Sequence, residues 1–294
     1  MKILVTGGAG FIGTNLIKRL LTDGHSVTSI DDYSTGSKLN HVKGCDYIQG
    51  ECIATEYLVL DDYDVVYHLA GLSRIQPSFI DPMETFHANV IGTQAICEWA
   101  RKTNTKMVYA GSSSKHHDPY QSPYATYKYL GEEICKMYKA TYKMDIEICR
   151  FYNVYGPHEV VEGDWAAVIG IWRRQIEANQ NITIVGDGLQ RRDFTHVEDI
   201  VDGLIRVANS DTKHNDAWEL GCGKNHSVLD VASWFIEHNP SIEIEHIPDQ
   251  KGNYRETLRE TNDAVELLGW RPEDKLRTYI QSIYHTQLKL DFPE

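Results

Sequence analysis

The chain has 294 residues, 41% of them hydrophobic and 24% charged, with a formal net charge of −13. Those proportions are ordinary for a soluble globular protein and allow one large core or two lobes. The acidic balance argues against nucleic acid and anionic membranes as partners, and no apolar run reaches membrane-spanning length.

The first element carries the most information. An apolar run from Lys2 to Thr6 opens into glycines at 7, 10 and 13, and an amphipathic stretch follows through Leu16, Ile17, Leu20 and Leu21. The order predicts a strand over 2–6, a glycine turn and a helix over 12–23, the context in which a dinucleotide pyrophosphate rests on a helix N-terminus. Gly7 would serve the sharp turn, Gly10 the approach of backbone to phosphate, and Gly13 the packing of helix on strand. Glycines alone fit three turn or packing positions equally well, so the flanking order supplies the weight. With the loop this near Met1, no leader peptide is expected. Past Gly24, a helix C-cap, a strand over 26–31 ends at Asp31. A carboxylate about 20 positions beyond the glycines grips a ribose 2′-hydroxyl and repels a 2′-phosphate, which favours NAD over NADP.

Further strands are predicted at 46–49, 64–69, 106–111 and 145–150, with helices near 82–102 and 122–142. The alternation implies an α/β fold, a Rossmann-like doubly wound parallel sheet with ligands at the strand C-terminal ends. After residue 155 the rhythm changes, and helical patches near 163–180, 198–209, 228–238 and 262–268 mix with short strands. We expect a dinucleotide-binding domain of 1–155 plus about 193–220, and a smaller α/β C-terminal substrate lobe of about 156–192 plus 221–294. The six cysteines (45, 52, 97, 135, 149, 222) make no Cys-x-x-Cys pair, and the thirteen histidines no metal-binding spacing. Reduced thiols in a cytoplasmic protein without a metal site are the expectation.

The segment Ser122-Pro-Tyr-Ala-Thr-Tyr-Lys128 opens the helix after strand 106–111, with Ser122 as N-cap and Pro123 in the first turn. Tyr124 and Lys128, four apart, share a helical face. An ammonium beside a phenol favours the phenolate, so the pair is a candidate base for a substrate hydroxyl. With 17 tyrosines in the chain, about one Tyr-x-x-x-Lys arises by chance, and the position after a strand is what singles this one out. The strand ends in Gly111-Ser-Ser-Ser114, where a hydroxyl can share the substrate proton and polarise a carbonyl.

Taken in order, TGGAGFIG, DDYSTG (31–36), HLAG (68–71), NVIGT from Asn89, GSSS, YATYK, RFYNVYGP (150–157) and GDGLQRRDFTHVED (186–199) resemble the extended short-chain dehydrogenase/reductase superfamily, and within it the nucleotide-sugar epimerases and dehydratases. The resemblance runs over nearly the whole chain. It implies that Gly7, Gly10, Phe11, Ile12 and Gly13 bind the pyrophosphate and Asp31 the adenosine ribose, with Ser34 and Gly36 in the ribose loop and Asp32 also at the cofactor. It sets Glu51 and Cys52 beside adenine, Leu69, Ala70 and Gly71 along the cofactor, and Ser73 near nicotinamide and sugar. Asn89 and Tyr152 are also expected at the cofactor. Ser112, Tyr124 and Lys128 match the catalytic Ser/Thr, Tyr and Lys, with Ser113 next to the substrate. Asn153 and Arg192 match diphosphate-binding residues, while Ala167 and Val168 match the segment that meets uracil. The implied partners are a UDP-sugar and a second copy of the chain, paired through the helices near 82–102 and 122–142.

Single residues subdivide that family. The 4,6-dehydratases carry Asp-Glu directly after the catalytic Thr, and the UDP-glucuronate decarboxylases a Glu two positions after it. Here Ser113 and Ser114 stand there, which leaves oxidation at C4 and return of hydride to the other face, a 4-epimerase with NAD recycled in place. Another NAD-dependent nucleotide-sugar converter (a UDP-glucuronate epimerase or decarboxylase, a dehydratase or a reductase), and a silent NAD-binding sensor or scaffold, are the alternatives. The chain departs from the family at Lys115-His116-His117, in the place of Val-Tyr-Gly, at Gln250, in the place of a phosphate-binding Arg, and at Asn253, in the place of a ribose-binding Asp. Arg255 or Lys251 would then compensate for Gln250. Thr257 aligns with the gatekeeper that is bulky in enzymes restricted to plain hexoses, so a small residue there is expected to admit N-acetylhexosamines.

Overall fold

The computed structural model describes residues 1–59 and 62–291; residues 60, 61 and 292–294, which fall within the two expected domains, lie outside them. Six strands occupy the first half: β1 (Lys2–Thr6), β2 (Ser26–Asp31), β3 (Cys45–Gln49), β4 (Val65–His68), β5 (Lys106–Ser112) and β6 (Ile146–Phe151). With a short strand Trp218–Leu220 they form one seven-stranded sheet, in the order Trp218–Leu220, β6, β5, β4, β1, β2, β3. Every neighbouring pair is parallel. Helices therefore have to cover both faces, and β1 reads as a continuous apolar run rather than an alternating one. Ile3 and Val5 point to one face and pack with Leu16, Ile17 and Leu20 of the helix Phe11–Thr22 and with Ile200 and Leu204. Leu4 points to the other face, among Ile96, Trp99, Ala100, Cys135 and Tyr138. Each such fully buried side chain contributes roughly 1.5–3 kcal/mol.

The strand order reverses between β1 and β4, and at that switch point the loops after the two strands diverge and leave a crevice. The glycine loop follows β1 and the loop from Leu69 follows β4. The predicted helix near 82–102 is built in pieces. Asp81 caps it by accepting the Glu84 N–H at 2.8 Å, Pro82 starts it, a π turn spans His87–Ile91, and Gly92–Thr103 completes it to a left-handed Asn104. The helix Pro123–Tyr142 starts where Ser122 accepts the Ala125 N–H at 3.1 Å.

The smaller lobe has its own core of Trp172, Ile182, Ile184, Phe235, Leu276 and Ile280, with strand Ile182–Val185 parallel to Ile244–Ile247. The helix Asp263–Leu268 lies in sequence within this lobe's expected span yet packs elsewhere. Ala264 and Trp270 join the core of the large sheet, where the Trp270 indole N–H bonds the Asp199 carbonyl at 2.8 Å. Among the described residues no helix is long and apolar enough to cross a membrane.

Candidate active site

A cleft of about 1190 Å³ opens at the C-terminal ends of β1, β4 and β5 and reaches into the smaller lobe. At one end the backbone is packed too tightly for side chains. Gly7 has φ 71°, and a Cβ on it would lie 2.8 Å from the Ala70 nitrogen; one on Gly13 would lie 2.3 Å from the Gly7 carbonyl oxygen. Gly10 precedes the helix Phe11–Thr22 without a side-chain cap, so backbone N–H groups face the cleft with nothing from the loop's side chains over them. A pyrophosphate fits that cradle. Asp31 ends β2 and accepts the Ala9 and Tyr33 N–H groups, one per oxygen, each at 2.8 Å. Each carboxylate oxygen retains a lone pair, enough for the two hydroxyls of a ribose. Burial raises the Asp31 pKa, and the two N–H bonds oppose that rise. Asp32 receives the Ser34 N–H and hydroxyl at 2.8 and 2.7 Å. Glu51 and Cys52 line the same end, and burial holds the Cys52 thiol up at about 12.

At the middle of the cleft the Tyr124 hydroxyl donates to Ser112 Oγ at 3.1 Å, and the Ser114 N–H donates to the same oxygen at 3.2 Å. Both lone pairs of Ser112 are then engaged, and its own proton is free for a ligand oxygen. The Tyr124 N–H is held by Ser78 Oγ at 3.1 Å, and Lys128 Nζ donates to the Ala110 carbonyl at 2.6 Å. The expected lowering of the phenol by Lys128 is not what the fold's own groups produce. Burial raises the Tyr124 pKa, while the Ser112 bond and the charge of Arg74 pull it down. Burial also lowers Lys128 to about 8.

Toward the smaller lobe, the Asn153 side-chain amide donates to Thr257 Oγ1 at 2.9 Å and to the Asp193 carbonyl at 3.1 Å. Arg192 donates to Asn253 Oδ1 at 2.6 Å, and burial lowers it to about 10. Ala167 and Val168 line the wall where the helix Val168–Glu177 begins. Among the described residues no group of three or more His, Cys, Asp or Glu is placed to hold a metal ion.

The model of the NAD dependent epimerase/dehydratase family matches residues 3–221. The chain belongs to this family. UDP-glucose 4-epimerase of Mycolicibacterium smegmatis is 31% identical over 297 residues, covering 93% of this chain and 94% of that one. UDP-glucuronic acid decarboxylase 3 of Arabidopsis thaliana is 31% identical over 303 residues, covering 94% and 86%. Among solved structures, UDP-glucuronic acid 4-epimerase of Bacillus cereus, in complex with UDP-glucuronic acid and NAD, superposes with a TM-score of 0.89 at 26% identity, over 99% of this chain and 100% of that one. The epimerase/dehydratase family works with NAD, and the glycine cradle with Asp31 fits that cofactor.

Most of the residues expected from the sequence lie along this one cleft: Gly7, Gly10, Phe11, Ile12, Gly13, Asp31, Asp32, Ser34, Glu51 and Cys52 at one end, then Leu69, Ala70, Gly71, Ser73, Ser112, Ser113, Tyr124 and Lys128, and finally Asn153, Ala167, Val168, Arg192 and Thr257. Five do not line it. Gly36 sits behind Asp31, where a Cβ would come within 2.9 Å of Asp31 Oδ1. Asn89, expected at the cofactor, is buried in the π turn and clamps the backbone of Leu72, accepting its N–H at 2.8 Å and donating to its carbonyl at 2.9 Å. Tyr152 is turned away, its hydroxyl bonded to Glu219, because Phe151 before it faces the cleft and successive residues of an extended chain alternate sides. Arg255, the expected substitute for a phosphate-binding Arg, is paired with Asp187 at 2.9 Å on the exterior; Lys251 Nζ lies 5.0 Å over the Phe79 ring. Phe151, Arg74, Trp165 and Tyr254 line the cleft without having been expected there. The alternation of β6 held the signal for Phe151, whereas nothing local marked the other three.

Proposed function

We propose that this family member is a nucleotide-sugar 4-epimerase acting on a UDP-hexose or UDP-N-acetylhexosamine, with Tyr124 as its base. The observation that carries the reading is the Tyr124–Ser112 pair, followed at 113 and 114 by hydroxyls in place of carboxylates. Ser112 presents its proton to the sugar O4, orients that oxygen and polarises it as it becomes a carbonyl. Tyr124 takes up the O4 proton and later returns it, a role worth about 10²–10⁴-fold in rate. On this reading the glycine loop and Asp31 hold NAD and Asn153 and Arg192 meet the diphosphate; these residues, with Lys128 and Ser73, line the same cleft as Tyr124. When bound, NAD supplies the hydride acceptor and donor for C4 and a positive charge that favours the Tyr124 phenolate. No further acid or base is needed, which matches the residues present. The small Thr257 leaves room for an N-acetyl group.

We further assign the protein to the cytoplasm, on six unbridged cysteines, and to a homodimer. The helices Gly92–Thr103 and Pro123–Tyr142, with the π turn before the first, leave Ile91, Leu130, Met137 and Tyr142 exposed, and a second copy would cover them. Incubating the purified protein with a panel of UDP- and GDP-sugars and following the products by NMR tests the reaction. A C4 epimer of unchanged mass is expected; release of carbon dioxide or water would replace the reading with decarboxylation or dehydration.

A further inference from the structure

Arg74 follows directly on Ser73 in the loop after β4 and lines the cleft. Its guanidinium is held by two backbone carbonyls: Nε donates to Trp165 at 2.9 Å and Nη1 to Ser73 at 3.3 Å. A guanidinium carries five N–H donors, so three remain for a ligand. No carboxylate among the described residues pairs with it. The acid whose charge acts on it, Glu159, gives its Oε1 to Arg173 at 3.2 Å and Tyr279 at 3.4 Å. Two carbonyls fix the half-buried guanidinium without neutralising it, so an anion entering the cleft meets a cation already held in place. Burial accordingly lowers the Arg74 pKa.

The place of Arg74 identifies the anion. Arg74 lines the cleft together with Ser112 and Tyr124, four residues before Ser78, whose Oγ holds the Tyr124 N–H at 3.1 Å, whereas the cofactor end of the cleft carries Asp31, Asp32 and Glu51. A sugar whose O4 meets Tyr124 and Ser112 carries its C5 substituent on the adjacent ring carbon. We propose that Arg74 is a specificity-determining residue that pairs with a carboxylate on C5, so that among UDP-hexoses the form oxidised at C6, a UDP-hexuronate, binds in preference to its neutral counterpart. This rests on the 4-epimerase reading for the placement of the sugar. With Ser113 and Ser114 after Ser112, the carboxylate is held by Arg74 through the reaction and leaves with the product.

Calorimetric titration of NAD-loaded protein with UDP-glucuronate, UDP-glucose and UDP tests the assignment. A charge-assisted bidentate pair amounts to about 10–100-fold in affinity. UDP-glucuronate is expected to bind tighter than UDP-glucose by that factor, Arg74→Gln to erase the preference while UDP-glucose and UDP stay within about threefold, and Arg74→Lys to keep part of it. Absence of a preference in the unmodified protein overturns the proposal, and that measurement does not depend on any variant folding. An equal loss for all three ligands in Arg74→Gln, with an unchanged melting temperature, also overturns it and places Arg74 on the diphosphate. Product NMR separates the two claims: tight, Arg74-dependent binding of UDP-glucuronate without a C4 epimer leaves Arg74 standing and removes the epimerase, and epimerisation of UDP-glucose without a uronate preference does the reverse.

Discussion

Ser112 Oγ accepts two hydrogen bonds, from the Tyr124 hydroxyl at 3.1 Å and the Ser114 N–H at 3.2 Å. That geometry leaves the Ser112 proton free to donate to a ligand, and in the proposed reaction Tyr124 carries the proton transfer. Tyr124→Phe should lower kcat by about 10³-fold and Ser112→Ala by about 10–10²-fold, with NAD content unchanged by absorbance. Tyr124→Phe with full turnover would remove Tyr124 as the base. The placement of Tyr124 and Lys128 together in the cleft was legible in the sequence because they are four apart on one helix. Their electrostatics were not. Burial, which depends on everything packed around the helix start, raises the phenol, and Lys128 is committed to the Ala110 carbonyl. Arg74 went unread for the same reason: a lone arginine in a loop shows its role only when its neighbours are known.

At the scale of elements, two pieces of the fold act through backbone. The π turn His87–Ile91 carries Asn89, whose amide satisfies both the N–H and the carbonyl of Leu72. Asn89→Ala would leave both buried, and unfolding in urea should show a loss of about 2–3 kcal/mol, accompanied by weaker NAD binding; stability within about 0.5 kcal/mol of the parent would refute the clamp. The loop at Glu159 is tied to the helices Val168–Glu177 and Leu276–Asp291 through Arg173 and Tyr279. Burial raises Glu159 to about 7 from 4.5, the Arg173 charge opposing, and Glu159 Oε2 lacks a donor among the described residues. Because the folded state holds this proton longer than the unfolded one, stability should fall as pH rises from about 4.5 to about 7, by up to about 3 kcal/mol, and then level off. Glu159→Gln should flatten that slope in melting curves between those pH values; an unaltered slope would place the effect on other groups. The sequence marked these segments as helix and loop, yet which loop side chain meets which helix was decided by packing.

For the whole molecule, the cleft runs from the glycine loop of the large sheet to Thr257 near the end of the chain, so it is complete only where the large sheet and the C-terminal segments are assembled. The exposed Leu130 and Met137 belong to the helix that also carries Tyr124, which ties the proposed dimer to the site. Sedimentation should give a dimer, and Leu130→Glu with Met137→Glu a monomer; an unmodified protein that sediments as a monomer would refute the pairing. The sequence by itself determined the doubly wound sheet, the glycine cradle, Asp31 and the Ser112–Tyr124–Lys128 set, because each rests on local periodicity, turn chemistry or short spacing. Only the tertiary structure decided that Trp270 belongs to the large core, that Tyr152 and Arg255 turn away while Phe151 and Arg74 line the cleft, and that Asn89 holds backbone. Side-chain direction and charge environment follow from contacts between residues far apart in the chain, and no local pattern encodes those.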